Sequence, residues 1–348
     1  MSDLTFAYWV PFKSGGLVLS SIPQKTDWTF EANVRYIQAA EKAGFEFALM
    51  PARYFNAIGD YQLEPITLAG ALAVLTTKIK LILAVHPGLH HPGVIAKAIA
   101  NLDHISKGRA AINIVSGWYK QEFTGFGEPW LEHDERYRRS EEFIRVLRSF
   151  WTEELTTFKG DFYRFQDAPL KPKPQVQPPI FQGGNSNVAQ EMAARVSDWY
   201  FMNGNSLEGI QSQIEVVKAL AAEQGRAVKF GVNGFVIVRD TEEEAVQVLL
   251  DIIDHADEKA VLNFQEKVKQ AKGMWSNTTK EDLVQFNDGF RTGLIGTPEQ
   301  VANRIIELKK NGVDLVLTGF LHYEEDIEIF AEKVIPLVRE KEKVLCAV

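Results

Sequence analysis

The segment Ile79-Lys80-Leu81-Ile82-Leu83-Ala84-Val85 is the clearest indication of fold class in this 348-residue chain. It is a nearly continuous apolar run, which is typical of a parallel strand buried on both faces, whereas a half-exposed strand alternates apolar and polar residues. Eight such runs occur, and a segment with helical spacing follows nearly every one. The runs are Thr5–Pro11, Phe45–Met50, Ile79–Pro87, Arg109–Gly117, Pro179–Gly184, Asp198–Gly204, Lys229–Arg239 and Gly312–Phe320.

Eight strands that alternate with helices predict an α/β fold, the (β/α)8 TIM barrel. No Pro/Gly/Ser-rich linker divides the chain, so we expect a single domain over residues 1–348. Residues 256–295 break the alternation, and we predict an insertion there, before strand eight. This insertion is either a mobile lid near the mouth of the barrel or a structural excursion packed on its side.

The composition excludes several classes of protein. The net charge is −8 and acidic and basic residues are interspersed, so nothing indicates binding to nucleic acid or to an anionic membrane. The one cysteine, Cys346, allows neither an intramolecular disulfide nor a cysteine metal cluster. No signal-peptide pattern and no long apolar span are present, so we expect a cytoplasmic protein.

Polar residues at the ends of strands four and five mark a candidate site, because TIM barrels carry their chemistry at the C-terminal ends of the strands. Asn113 either stabilises the barrel or binds a polar ligand, and Glu122 follows in the next loop. After strand five, Gly183, Gly184 and Ser186 precede a helix. Glycines and a helix N-terminus form either an anion site or merely a tight turn.

Other catalytic signatures are missing or ambiguous. No Gly-x-Gly-x-x-Gly follows a strand, so an internal NAD(P)H site is not indicated. His86, His90 and His91 lie in a Pro/Gly-rich loop rather than on one helix face, and we predict no metal site. The candidates for acid–base or closing roles are His86, His322 at the end of strand eight, and Arg291 near the end of the insertion.

Four ordered motifs resemble the bacterial luciferase-like monooxygenases, which use reduced flavin. They are Ala111–Trp118, His133–Phe143, Phe158–Tyr163 and Ile180–Ser186. The likeness extends over nearly the whole chain. It implies a (β/α)8 barrel, FMNH2 supplied by a separate NAD(P)H:FMN reductase, O2 as co-substrate, and a homodimer or homotetramer.

The resemblance also assigns residues to the flavin. The turn at Gly184 belongs with them, because the N–H groups that follow it can hold a phosphate. The full set of predicted flavin contacts is Ala52, Arg53, Asn113, Glu122, Arg136, Tyr137, Gly184 and Ser186. Taken alone, an arginine in a first helical turn is more often a solvated surface charge.

Within the family, the nearest likeness is to members that oxidise dimethyl sulfone. The sulfonate pocket of the alkanesulfonate enzymes has a tryptophan, an arginine and a histidine at the positions of Asn203, Asn233 and Phe235. An anion needs cations or several donors, so these residues favour a small neutral substrate. Trp9, in the first strand, is the fourth candidate for the substrate pocket.

The expected reaction is therefore C–S cleavage of dimethyl sulfone to methanesulfinate and formaldehyde, in sulfur assimilation. Three alternatives stay open. The first is a monooxygenase that acts on an alkanesulfonate or a pyrimidine-like ring, and the second is a deazaflavin-dependent oxidoreductase of the same superfamily. The third is a flavin-binding protein without catalytic activity, which the polar strand ends disfavour.

Overall fold

Eight parallel strands close a barrel in the computed structural model, which describes residues 3–11, 17–55, 61–268, 279, 281–285 and 288–346. Each strand pairs with its neighbours in sequence, and the first pairs with the eighth, which confirms the (β/α)8 prediction. Strands one to eight are Thr5–Trp9, Phe47–Met50, Lys80–Val85, Ala110–Ile114, Ile180–Gly183, Trp199–Met202, Lys229–Phe235 and Leu315–Gly319.

Helices surround the strands, and several begin at side chains that accept hydrogen bonds from the first turn. Thr29, Ser186 and Ser206 cap their helices in this way. The helices are Phe30–Lys42, Pro65–Ala73, Pro92–Ser106, Lys120–Gly125, His133–Thr152, Asn187–Val196, Leu207–Glu223, Glu242–Asp254, Glu258–Val268, Pro298–Lys310, Tyr323–Ile329 and Ile335–Cys346. A π-helical turn, Phe330–Val334, joins the last two. No helix in the described part of the chain has the length and apolar content that a membrane crossing needs.

The inside of the barrel is filled with apolar side chains. Phe181 stacks between Trp199 and Phe201, with ring centroids 5.1 Å apart in both pairs. Side chains of a strand alternate between its two faces. The residues two positions beyond Ala111 and Phe201 are Asn113 and Asn203, which therefore lie at the C-terminal end of the interior. A polar layer thus covers an apolar core at the mouth of the barrel.

An antiparallel hairpin lies between strands four and five, in addition to the barrel strands. Its strands, Leu155–Lys159 and Arg164–Pro169, follow the long helix His133–Thr152. Phe165 of the hairpin packs edge-on against Phe150 of that helix, with ring centroids 5.0 Å apart. The hairpin is therefore fixed to the outside of the barrel.

The predicted insertion lies between a short parallel pair, Ile237–Val238 with Ile295–Gly296, and is only partly described. It contains the helix Glu258–Val268 and the 3-10 turns Asp282–Val284 and Gly289–Thr292. Residues 269–278, 280, 286 and 287 lie outside the described residues, and the prediction of a mobile lid falls largely on them.

The described parts of the insertion are attached to the segment that follows strand one. The Leu19 N–H donates to the Val284 carbonyl at 2.7 Å, and the Asp257 N–H donates to the Leu19 carbonyl at 2.9 Å. The Ser21 N–H donates to the carbonyl of His255 at 2.8 Å. These backbone hydrogen bonds hold both ends of the insertion over the mouth of the barrel.

Candidate active site

The turn after strand five brings together three of the predicted flavin residues. Gly184 has a φ of 133°, which residues with a side chain rarely adopt. A methyl group at this position would lie 2.5 Å from the hydroxyl oxygen of Tyr137, so glycine allows the tyrosine to approach the turn. Ser186 caps the helix Asn187–Val196. A glycine turn, two hydroxyl groups and a helix N-terminus therefore meet at one place.

The polar groups at this turn are suited to an anionic ligand. Burial raises the pKa of the Tyr137 phenol, and a hydrogen bond with Ser186 opposes the rise. The hydroxyl therefore stays protonated at neutral pH and is able to donate. Asn185 has a buried side-chain oxygen without a hydrogen-bond partner among the described residues. An unpaired buried acceptor costs about 1–3 kcal/mol and needs a donor, so this oxygen suits a hydroxyl or N–H of a ligand and not the anionic group itself.

Arg136 is buried and is not a solvated surface charge. Its guanidinium lies 4.0 Å from the centroid of the Trp130 ring, and Nη1 donates to the Leu131 carbonyl at 2.7 Å. Burial lowers its pKa, and the neighbouring Tyr137 opposes this shift. Its Nε–H has no partner among the described residues. The residue before Tyr137 is therefore a buried cation with a donor that no described residue uses.

Arg53 and Glu122 form a buried ion pair behind the end of strand two. The Arg53 Nη1 lies 3.5 Å from Oε2 of Glu122, whose side chain is 1% exposed. The other carboxylate oxygen accepts the Tyr54 N–H at 2.9 Å and the Phe55 N–H at 3.5 Å. Arg53 also lies 4.5 Å from the centroid of the Trp118 ring. Glu122 therefore fixes the loop after strand two, and the flavin contact that the resemblance implies for it stays a prediction.

His86 touches the same pair and is held in its neutral form. Its Nε2 lies 3.1 Å from Arg53 Nη1, which can only donate, and 3.2 Å from the Ala52 carbonyl, which can only accept. Burial, with the nearby Arg53 charge, lowers the pKa of His86 to about 3. At neutral pH the ring therefore has no imidazolium proton to give.

Asn113 and Ser116, the two polar residues of the strand-four motif, have different surroundings. The Ser116 hydroxyl accepts a hydrogen bond from Ser140 at 2.9 Å and packs against the helix His133–Thr152. The Asn113 side-chain oxygen is buried with no partner among the described residues. Asn113 faces the mouth and presents an acceptor, which suits an N–H at the edge of a flavin ring.

The four residues predicted to bind substrate lie on strands one and seven and directly after strand six, at the C-terminal end of the barrel. The Trp9 indole N–H donates to Asn233 Oδ1 at 2.6 Å, which fixes the orientation of that amide. Phe235 contacts Phe290 of the insertion edge-on, with ring centroids 5.1 Å apart. Asn203 donates a hydrogen bond to the insertion.

The insertion supplies part of this region through residues that the sequence did not single out. Asp288 accepts a hydrogen bond from Asn203 Nδ2 at 3.2 Å, and its own φ is 53°. A methyl group on Gly204 would collide with the Asp288 carbonyl, so the glycine permits this close approach. Thr292 donates to the Asn233 carbonyl at 2.5 Å. The insertion therefore positions the two asparagines.

The remaining candidates lie apart from these groups. The ring of His322 accepts the Lys25 N–H at 3.2 Å, and the backbone N–H of His322 donates to the Asp326 carboxylate at 2.8 Å, at the start of a helix. Arg291 is exposed on the 3-10 turn Gly289–Thr292. No group of three potential metal ligands occurs among the described residues.

One feature of the mouth was missed by the sequence analysis. The Tyr54 hydroxyl oxygen lies 2.8 Å from Nε2 of His90. These two residues line a cavity of about 250 Å³ together with Leu89, Phe126 and Glu128. Tyr54 directly follows Arg53, a predicted flavin contact, and this position is the sequence signal that could have identified it. For His90, the Pro/Gly-rich loop favoured pocket lining or a plain loop over a metal ligand.

Comparisons with known proteins agree with this architecture. Residues 4–315 match the family model described as luciferase-like monooxygenase. A protein of Pseudomonas fluorescens (strain Pf0-1) named FMNH(2)-dependent dimethylsulfone monooxygenase is 55% identical over 345 residues, covering 97% of this chain and 95% of the relative. A protein of the same name from Pseudomonas putida is 55% identical over 350 residues, covering 98% and 96%. A crystal structure of riboflavin lyase with modified FMN and riboflavin has a TM-score of 0.84 at 22% identity, covering 98% of this chain and 92% of that one, and supports the fold alone.

Proposed function

Since the chain belongs to the luciferase-like monooxygenase family, we propose that it is an FMNH2- and O2-dependent monooxygenase that cleaves a C–S bond of dimethyl sulfone. The products are methanesulfinate and formaldehyde. One sulfone, one O2 and the two hydrogens of FMNH2 give one sulfinate, one formaldehyde, one water and FMN, so atoms and electrons balance. The observation that carries the proposal is the 55% identity, over nearly the full length, to two enzymes named for this substrate.

The strand-five side of the mouth fits the cofactor. Tyr137, Ser186 and the N–H groups after Gly184 hold the phosphate, and the buried Arg136 adds positive charge nearby. The unpaired Asn113 oxygen accepts from the ring. When bound, reduced FMN supplies the electrons that activate dioxygen.

The predicted substrate residues on strands one and seven and after strand six fit a small neutral substrate. The groups that Trp9, Asn203 and Asn233 bring are an indole and two amides, none of which carries a charge. Sulfone oxygens accept hydrogen bonds but carry no net charge, so amide donors are sufficient for them, and the Trp9 N–H orients one of the two amides. A sulfonate would instead favour arginine or lysine at this place.

The protein's part in the reaction is to orient the substrate and to exclude water. Phe235 and Phe290 form an apolar contact beside the asparagines and limit the access of water. His86 is neutral and hydrogen-bonded to Arg53, so it orders the loop rather than delivering a proton. The reaction as written needs no protonated side chain in this cluster.

The proposal includes partners that a reduced-flavin enzyme requires. A separate NAD(P)H:FMN reductase supplies FMNH2. A cytoplasmic location gives the enzyme access to this reductase and to the reduced flavin. We further propose a homodimer or homotetramer, as the family resemblance implies.

Steady-state product analysis tests the proposal. The protein is incubated with a flavin reductase, NADH, FMN and one of three substrates: dimethyl sulfone, methanesulfonate or uracil. We expect methanesulfinate and formaldehyde from the sulfone and no product from the other two. Turnover of methanesulfonate alone would contradict the neutral-pocket argument, and the absence of any oxygenation with FMNH2 would favour a deazaflavin enzyme.

A further inference from the structure

A fully buried tyrosine lies behind the glycine turn and is directed at its backbone. Tyr200 follows Trp199 and precedes Phe201, which both face the barrel interior, so its side chain points outward into the helix layer. Its hydroxyl donates to the Gly184 carbonyl at 2.6 Å. Burial raises the pKa of this phenol, so the hydroxyl is a permanent donor.

We infer that Tyr200 is a positioning residue that aims the Gly184–Asn185 peptide N–H at the cofactor phosphate. The inference rests on the proposed function, because it requires FMN at this turn. In a trans peptide the C=O and the following N–H point in opposite directions. Tyr200 holds the Gly184 carbonyl toward the helix layer, so the Asn185 N–H points toward the mouth of the barrel.

The turn needs such an anchor because sterics do not fix its orientation. Gly183 and Gly184 have no Cβ, and glycine reaches positive and negative φ with nearly equal ease. The peptide after Gly184 can therefore rotate at little cost unless a hydrogen bond holds it. The bond from Tyr200 fixes one orientation before the ligand arrives, which reduces the entropy lost on binding.

A second buried network holds the helix that begins at the same turn. Gln182 Nε2 donates to the Ala189 carbonyl at 2.9 Å, and the Ser197 hydroxyl donates to Gln182 Oε1 at 3.0 Å. Gln182 and Ser197 are both fully buried. The outward faces of strands five and six thus support both the glycine turn and the first helical turn from behind.

The test compares two ligands that differ only in the phosphate. Reduced FMN and reduced riboflavin are titrated anaerobically against the wild type and Tyr200→Phe, with tryptophan fluorescence as the signal. Losing a hydrogen bond that orders a contact with a charged group costs about 1.5 kcal/mol of binding free energy, or roughly tenfold in affinity. We expect Tyr200→Phe to weaken FMN about tenfold and to leave riboflavin affinity within about twofold.

Tyr8→Phe is the matched control. Tyr8 is also fully buried, and its hydroxyl has no partner among the described residues. This variant should change neither affinity. If Tyr200→Phe fails to fold, Ser197→Ala loosens the second network, which holds the helix at the same turn through Gln182, and should reduce the FMN preference by a smaller factor.

The outcomes separate the inference from the proposed function. If the wild type binds riboflavin as tightly as FMN, the phosphate site itself is wrong. If the wild type prefers FMN and Tyr200→Phe keeps that preference, the positioning role of Tyr200 is wrong while the site stands. Equal weakening of both ligands would show that the hydroxyl contributes only to packing.

Discussion

Replacing Glu122 with glutamine should destabilise the cofactor-free protein by about 2 kcal/mol, as judged from the usual cost of breaking a buried ion pair. The amide keeps an oxygen for the Tyr54 N–H but turns N–H donors toward the Arg53 guanidinium, which cannot accept. Removing one partner of a fully buried pair costs about 3–5 kcal/mol. Because the Arg53 side chain is 18% exposed and the two charges are 3.5 Å apart, we expect a smaller loss.

Urea unfolding of the apo-protein measures this loss, and an exposed ion pair provides the control. Glu324 pairs with Arg35 at 2.6 Å, closer than Glu122 to Arg53, but both side chains are half exposed. Glu324→Gln should therefore change the midpoint much less. A double-mutant cycle with Arg53→Met isolates the pair, and we expect a coupling energy of about 1–2 kcal/mol.

A different result would contradict the structural role of Glu122. If Glu122→Gln is as mild as Glu324→Gln in the apo-protein while FMNH2 affinity falls sharply, Glu122 acts by touching the flavin. The loop after strand two would then not depend on its carboxylate.

Three further changes test the glycine turn after strand five, the buried cluster at the loop after strand two, and the predicted substrate residues. Gly184→Ala places a methyl group 2.5 Å from the Tyr137 hydroxyl at a φ of 133°, so FMNH2 affinity should fall at least about tenfold in a titration; an unchanged affinity would remove the phosphate from this turn. His86 has a pKa of about 3 when folded against 6.5 as its ordinary value, so the unfolded chain binds the proton first and stability is lost as pH falls below 6.5. Wild-type unfolding free energy should drop by about 2 kcal/mol through this residue between pH 7.5 and pH 5, and His86→Gln should lack that component in urea unfolding at both pH values; parallel curves for the two proteins would refute it. Trp9→Phe loses the 2.6 Å hydrogen bond to Asn233, so KM for the sulfone should rise several-fold with FMNH2 affinity unchanged, and equal effects on both would place Trp9 at the flavin instead.

Much of the fold follows from local signals in the sequence. The helix Pro92–Ser106 follows strand three, as the helical spacing after that strand predicts, because proline at its start and an apolar face are local features. The hairpin Leu155–Lys159 and Arg164–Pro169 was not predicted, since its strands are short and largely exposed. The helix Pro298–Lys310 was also overlooked, although its capping box at Thr297 is a local signal.

The candidate site also has parts that the sequence predicts and parts that only the structure reveals. The C-terminal ends of parallel strands meet at one mouth, so the sequence predicts that Asn113, Asn203 and Asn233 lie there, while the family resemblance is what assigns Asn203 and Asn233 to the substrate. The contact of Asn203 with Asp288 joins residues 85 positions apart, across an insertion without a periodic pattern, and no local signal predicts it. Tyr200 reads as one more apolar strand residue, and only the backbone direction of the glycine turn shows what its hydroxyl does.

A single-turnover experiment tests the cleavage of dimethyl sulfone without any contribution from a reductase. The protein is loaded anaerobically with one equivalent of FMNH2 and excess dimethyl sulfone, and is then mixed with oxygenated buffer. We predict nearly one formaldehyde and one methanesulfinate for each FMNH2 oxidised, and neither product when methanesulfonate replaces the sulfone. Complete oxidation of FMNH2 with no formaldehyde from the sulfone would contradict the proposed function.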